Sequence, residues 1–333
     1  MRQLIVPAGG GVENLRLEDA PDPGRPGPGQ IRVDVKASSL NYHDYMVIAG
    51  LSDPGEDRIP LADASGVVAE VGEGVEEFAE GDHVVSVFFP DWQAGRDVAS
   101  SFASTPGDGV DGYARESVIR PASWFTAAPK GWSHPEAATI TTAGLTAWRC
   151  LVVEGGLRPG QSVALLGTGG VSILALQIAK AMGATVAITS SSEEKLARAR
   201  ELGADVTVNY EDDPEWGRTI RQQTGGVDIV LESAGAATLP QSLRAVRPGG
   251  TIGLIGVVAG GQGEVPTALL MTKQVRLHGV LVGSREDQQD FVRALDGLEI
   301  RPVLDRTLPF DQLAAACEAM SGQEHLGKIA LEW

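Results

Sequence analysis

The stretch Val163-Ala-Leu-Leu-Gly-Thr-Gly-Gly-Val-Ser172, which runs directly into an apolar helical pattern over 173–182, decides the fold. Residues 163–166 read as a short buried strand, and Gly167-x-Gly169-Gly170 as a tight turn. The helix that follows presents its first amides at the carboxyl end of the strand. Those unpaired N–H groups and the helix dipole form a seat for a pyrophosphate. A Gly-x-Gly alone is weak evidence. With a strand before it and a helix after it, the motif predicts a dinucleotide site contacted by Gly167, Gly169, Gly170 and Val171. Ser172 stands where the usual fingerprint has its third glycine, and it is small enough for helix–strand packing.

The pattern continues downstream. Strands are expected at 185–189, 206–209, 227–232, 251–255 and 275–282. Helices are expected at 193–202, closed by Gly203, at 216–223, and at 238–246, stopped by Pro248-Gly249-Gly250. Strands alternating with helices imply right-handed crossovers and a parallel sheet covered on both faces. Six such strands make one doubly wound α/β domain of about 150 residues, an ordinary domain size.

The remainder is bounded by composition. A chain of 333 residues exceeds what one core usually holds, so two domains are expected. The net charge of −17, with no basic cluster, argues against nucleic acid or an anionic membrane as partner. Cys150 and Cys317 are the only cysteines. Two lone thiols, no signal-peptide pattern and no long apolar run point to a cytoplasmic protein.

The first 125 residues read differently. Short strand-like runs at 31–37, 66–71 and 83–89 are separated by Pro/Gly/Asp turns, and Pro21-Asp-Pro-Gly-Arg-Pro-Gly-Pro-Gly29 is a loop. Regular turn signals suggest a small β-barrel or sandwich. Ser133-His-Pro-Glu136 opens a helix as a capping box, so the nucleotide domain is expected to begin near here. The expected division is a barrel domain over 1–125, completed by 285–333, and a nucleotide domain over 126–284. A helix at 311–320 and a last strand at 328–331 close the chain.

Several segments together carry a family resemblance: Ala37-Ser-Ser-Leu-Asn-Tyr-His-Asp44, Ala62-Asp-Ala-Ser-Gly-Val-Val-Ala-Glu-Val-Gly-Glu-Gly74, Gly81-Asp-His-Val-Val85, residues 141–148, residues 167–171 and Val246-Arg-Pro-Gly-Gly250. Over its whole length the chain resembles the medium-chain dehydrogenase/reductase superfamily, and most of all its quinone oxidoreductase and enoyl reductase branch. The resemblance implies a GroES-like β-barrel, a Rossmann domain of strand order 3-2-1-4-5-6, and a homodimer paired through the sixth strand. Zinc members bind a catalytic metal through Cys, His and Cys. The matching positions here are Asn41, Ala62 and Thr142, which are poor ligands or none. The loop over 91–112 lacks the four Cys of the structural zinc. His43, His83 and His134 stand alone, without Cys or carboxylate at ligand spacing. No metal is therefore expected. Without a Lewis acid, alkoxide formation needs another route, whereas an activated C=C or a quinone is already electrophilic.

Cofactor choice is read where the second strand ends, at Thr189-Ser-Ser-Ser-Glu-Glu-Lys195. Ser190 stands where an NAD enzyme would carry an acid for the ribose hydroxyls. Ser190, Ser191 and Lys195 are candidates to receive a 2′-phosphate, and the resemblance adds Tyr210. Ser191-x-x-Glu194 also reads as a capping box. NADP(H) is the expected cofactor. Gly235, Gly256 and Gly283 are expected to end strands four to six, where the backbone approaches the cofactor. The resemblance places Asn41 and Thr146 near the nicotinamide. Tyr42, His43 and Tyr45 are proton-donor candidates beside the lost metal, with Tyr42 favoured; Leu51 stands where some enoyl reductases carry their tyrosine. Phe88, Phe89 and Trp92 suit either an apolar substrate pocket or the barrel core. The expected activity is NADPH-dependent, zinc-independent reduction of a small-molecule quinone or α,β-unsaturated carbonyl. Carbonyl reduction or alcohol dehydrogenation on the same fold is one alternative, and a crystallin-like nucleotide-binding protein without turnover is another.

Overall fold

A computed structural model describes residues 1–52, 55–95 and 101–333. The chain divides into two compact units. One comprises Met1–Leu145, Gly283–Gly297 and Leu304–Trp333; the other comprises Thr146–Val282 and Leu298–Val303.

The first unit is built on a sheet whose centre is the long strand Gln30–Ser39. Ile31, Val33 and Val35 alternate along it into a core shared with Val68, Val84, Tyr113 and Phe125, while the residues between them are less buried. Ser65–Val71 and Ser117–Pro121 pair antiparallel with this strand. His83–Ser86 and Phe125–Ala127 extend the sheet on one side. On the other side the chain's last strand, Lys328–Glu332, pairs antiparallel, with Ala330 opposite Ser39. That strand is longer by one residue than expected and brings Lys328 into the middle of the unit. The capping box at Ser133 forms: Glu136 Oε2 accepts from the Ser133 amide at 2.7 Å. Its helix, His134–Ala138, packs on Gln30–Ser39 and Ser65–Val71, so 126–145 clusters with the barrel and not with the nucleotide domain as expected.

In the second unit six parallel strands lie in the spatial order Val206–Asn209, Thr185–Ser190, Ser162–Leu166, Val227–Glu232, Val246–Leu254 and Arg276–Gly279. This is the doubly wound order 3-2-1-4-5-6. The direction of winding reverses between Ser162–Leu166 and Val227–Glu232, where ligands of such sheets bind at the carboxyl ends. Val163–Leu165 are fully buried, as a strand covered on both faces requires.

The sixth strand corrects the sequence reading. It is four residues long, not the eight of 275–282: the ladder ends at Gly279, and beyond it Val282 adopts φ +49, a left-handed conformation. Gly283 therefore does not end that strand. It belongs to the first unit, where a Cβ would press on Leu145 at 3.0 Å. Among the described residues, no helix is long and apolar enough to cross a membrane.

Candidate active site

The glycine turn of the second unit has the form expected of a phosphate seat. Gly167 sits at φ +74, so its conformation alone favours glycine. Gly169 is different. It caps the helix Gly170–Ala181 at φ −76, which any residue adopts, and a Cβ there would meet no protein atom within 4 Å. Neither conformation nor internal packing requires glycine at 169. The open space in front of it leaves room for a group approaching from outside the fold, as a backbone cradle for pyrophosphate needs. Ser172 serves the packing role of the third glycine: its Oγ donates to the Leu166 carbonyl at 2.7 Å and pins the helix to its strand.

At the end of the second strand Ser190 is buried, pairs in register with Asn209, and accepts the Tyr210 amide on its carbonyl at 3.1 Å. Ser190 and Tyr210 are thus neighbours. The helix cap is Ser192, whose Oγ accepts from the Lys195 amide at 3.3 Å, and not Ser191. The capping box read one residue early because three consecutive serines offer the same chemistry; Ser191 is left exposed. Glu193 lies 3.4 Å from Arg200 on its own helix, which offsets one of the two nearby negative charges. These residues fit a nicotinamide dinucleotide.

Sequence reasoning missed Glu232. It is fully buried at the end of the fourth strand. One carboxylate oxygen accepts from the amides of Ala234 and Gly235, at 3.0 and 3.1 Å, and from the Thr238 hydroxyl at 2.6 Å; the other accepts from Ser242. This locks the turn carrying Gly235. A Cβ at Gly235 or Gly256 would strike backbone oxygens of Gly260 or Ser233, at 2.7 and 2.5 Å, so local packing alone accounts for both glycines. Thr146 is buried.

In the first unit, Asn41, Ala62 and Thr142 converge on two carboxylates. Thr142, placed by the π-helical turn Ile140–Gly144, donates its hydroxyl to Asp63 Oδ1 at 2.5 Å. Asn41 Nδ2 donates to Asp63 Oδ2 at 2.8 Å and Asp44 Oδ2 at 3.0 Å, and the Ala62 amide donates to Asp44 Oδ1 at 2.9 Å. Ser39 adds a fourth donor, to Asp63 at 2.5 Å. The cation of this cluster is Lys328, only 3% exposed. Its Nζ donates to Asn41 Oδ1 at 2.5 Å and to the Leu40 carbonyl at 2.7 Å, and lies 3.8 Å from Asp63 Oδ2. Burial pushes the Asp63 carboxyl up to about 6 against the pull of Lys328, with Asp44 adding to the rise. Burial likewise lowers Lys328, which the two carboxylates oppose. In the sequence Lys328 stands before the apolar residues 329–331 and Asp63 adjoins a lost ligand position, but nothing there pairs the two.

This donor set does not fit zinc. The Asn41 and Thr142 side chains are committed to Asp63, and an ammonium already neutralises the carboxylates. Among the described residues no group of three His, Cys, Asp or Glu is placed to hold a metal. Asn41 has both its amide hydrogens and its oxygen engaged within the protein, so it positions neighbours and offers nothing to a substrate.

Tyr42 and Tyr45 share a face of the helix Tyr42–Ile48, their rings 5.8 Å apart. Tyr42 is 44% exposed, while Tyr45 packs against the cluster of Leu40, Ile48 and Phe310. His43 has a more defined setting. It stacks on Phe102 at 4.7 Å, meets the edge of Phe88 at 5.5 Å, and its Nε2 lies 3.1 Å from Asp108 Oδ2, an ion-pair distance without aligned hydrogen-bond geometry. Phe88, Phe89 and Trp92 are buried and belong to the core.

Comparison with known proteins agrees with this architecture. Residues 27–130 match the alcohol dehydrogenase GroES-like domain, and residues 170–298 match the zinc-binding dehydrogenase domain. The chain is 37% identical, over its whole length, to a zinc-type alcohol dehydrogenase-like protein of Schizosaccharomyces pombe, of which it covers 99%. The chain belongs to the medium-chain dehydrogenase/reductase superfamily. It is an oxidoreductase. Among solved structures, an NAD-dependent alcohol dehydrogenase superposes with a TM-score of 0.89 at 34% identity, covering all of both chains. A crotonyl-CoA carboxylase/reductase in complex with NADP superposes with a TM-score of 0.87 at 25% identity, covering all of this chain and 94% of that one.

Proposed function

We propose that this member of the superfamily is an NADPH-dependent, zinc-independent reductase of quinones or α,β-unsaturated carbonyls. The observation that carries the reading is the Asn41–Asp63–Thr142–Lys328 cluster, which fills the expected metal position with mutually satisfied side chains. The likeness to a reductase solved with NADP supports it; the likeness to alcohol dehydrogenases favours carbonyl or alcohol chemistry as the second reading.

Nicotinamide, when bound, supplies the hydride. Gly167, Gly169 and Gly170 would hold the pyrophosphate, and Ser190 would offer a hydroxyl to a 2′-phosphate at the position where an NAD enzyme carries an acid. Lys328 and Asp63 fix Asn41 and thereby the start of the helix carrying Tyr42, His43 and Tyr45. His43 is the proton donor we favour over the two tyrosines, since its Nε2 faces Asp108 Oδ2 at 3.1 Å and its ring is held by Phe102 and Phe88. The edge strand Arg276–Gly279, with Leu281 exposed beside it, supports a homodimer, which sedimentation would test.

The deciding experiment follows NADPH oxidation with a panel of quinones, enones and aldehydes, using C4-deuterated cofactor. Label at the β-carbon of an enone, or rapid quinone reduction, supports the proposal. Label at a carbonyl carbon with an alcohol product replaces it with the carbonyl reductase reading. Tight NADPH binding without turnover indicates a nucleotide-binding protein that does no chemistry.

A further inference from the structure

On a chain of net charge −17, three arginines, Arg58, Arg115 and Arg120, gather beside Asp111 in the first unit. Arg58 is 7% exposed; its Nη2 meets the exposed Glu56 at 2.6 Å and its Nη1 lies 3.6 Å from Asp111. Arg120 donates to the carbonyls of Asp111 and Ile119, at 2.8 and 3.2 Å, and lies over the Trp124 ring at 5.4 Å. Arg115 donates from Nε to the Gly112 carbonyl at 3.1 Å.

These contacts leave donors over. Arg58 Nε, Arg115 Nη2, Arg120 Nε and the Tyr113 hydroxyl are buried and reach no protein acceptor. Buried guanidinium N–H groups are ordinarily satisfied, and those of like charge repel one another unless an anion lies between them. Burial, with the Arg120 charge adding, brings Arg115 down to about 10. An open groove of about 520 Å³ lies against the cluster, lined by Gln30, Arg58, Asp111, Arg120 and Trp124 among others.

We propose that this groove is a second ligand site that binds a small oxyanion, a phosphate or a carboxylate, between the Arg58 and Arg120 guanidinium groups, with the Trp124 ring along its flank. Glu56 and Asp111 also border the cluster, so its three guanidinium groups leave one positive charge in excess; that charge, the Trp124 wall and an opening to solvent are what such an anion requires. The site is independent of the nucleotide seat, which lies in the other unit, and of the reductase reading.

The test uses the full chain labelled with 5-fluorotryptophan, the Trp124 resonance being assigned by Trp124→Phe. Sodium phosphate and sodium benzoate are titrated separately against sodium chloride at equal ionic strength. The expected result is a saturable shift of the Trp124 resonance at millimolar phosphate or benzoate, absent with chloride, while the Trp216 resonance of the nucleotide unit does not follow the same curve. The two arms identify the class of anion. Arg120→Lys keeps the charge but loses the planar fork, and should weaken binding at least tenfold; Arg58→Met should do the same. A Trp124 resonance that ignores both oxyanions, one that follows chloride equally, or an unchanged half-saturation in Arg120→Lys overturns the proposal.

Discussion

Lys328→Met is the substitution that most directly tests the buried cluster. Methionine fills much of the space of the lysine stem, so the main loss is the ammonium. Asp63, fully buried, would keep Ser39, Asn41 and Thr142 as donors but lose its cation, and Leu40 O and Asn41 Oδ1 would lose a donor each. Removing one partner of a buried ion pair costs about 3–5 kcal/mol. The pH dependence supplies the sharper signature. With Lys328 present, Asp63 already titrates near 6 rather than 3.8. A carboxyl whose folded pKa is raised contributes stability that is complete below its unfolded pKa and is lost as pH rises through the folded one. Those two units correspond to roughly 3 kcal/mol lost between pH 4 and 6. Without Lys328 the folded pKa moves above 6, so the loss extends to higher pH. The deficit of Lys328→Met against the parent should therefore be smaller at pH 5, where only the donors lost to Leu40 and Asn41 set it, than at pH 8. Urea unfolding of both proteins at those two pH values measures it. A deficit under 1 kcal/mol at pH 8, or one equal at both pH values, would refute the ion-pair argument.

Three other substitutions or probes address the remaining parts. Gly169→Asp should leave thermal stability unchanged or slightly raised, because Asp is a good helix cap, yet should weaken NADPH binding by two decades or more by setting a carboxylate in the pyrophosphate seat; calorimetric titration beside a melting curve separates the two effects. Ser190→Asp should erase or reverse a preference for NADPH over NADH, about one to two decades in affinity, since a charge-assisted phosphate contact is worth roughly 1.5–3 kcal/mol; equal affinities in the parent would count against the 2′-phosphate assignment. Cys150 and Cys317 are both pushed up to about 12 by burial, so a thiol reagent at pH 8 should titrate neither in the native protein and both in denaturant. Fast labelling of a native thiol would show that its surroundings open.

Wherever the deciding interaction is local, the sequence reading and the structure agree. The Gly167–Gly170 turn, the alternation of strands and helices after it, and the Ser133 cap each depend on residues a few positions apart, and each is found as read. Two local signals are the exceptions. Three serines in a row let the cap slip from Ser192 to Ser191, and the strand read over 275–282 stops at Gly279, short of the left-handed Val282. What could not be read was set by tertiary pairing. Lys328 meets Asp63 only because the last strand joins the barrel beside Gln30–Ser39, and no periodicity in the chain announces that neighbour. Glu232 looks like the end of a strand until its turn folds over it.

The cluster also constrains the chemistry more tightly than the missing ligands do. Losing Cys and His from a metal position says only that zinc would bind poorly. Finding a lysine there says what replaced its charge. Nζ of Lys328 is buried, hydrogen-bonded to the Leu40 carbonyl and Asn41 Oδ1, and 3.8 Å from Asp63 Oδ2, so the charge of this cation is directed into the protein. A site whose positive charge is committed inward can orient a substrate but cannot act as a Lewis acid toward it. Such a site suits acceptors that are electrophilic before they arrive, as conjugated carbonyls and quinones are, with protonation left to a nearby side chain. On this argument His43→Gln should lower turnover by about 10²–10⁴-fold if the ring is that acid, while leaving NADPH affinity unchanged. An unaltered turnover would move the proton source to Tyr42 or to water.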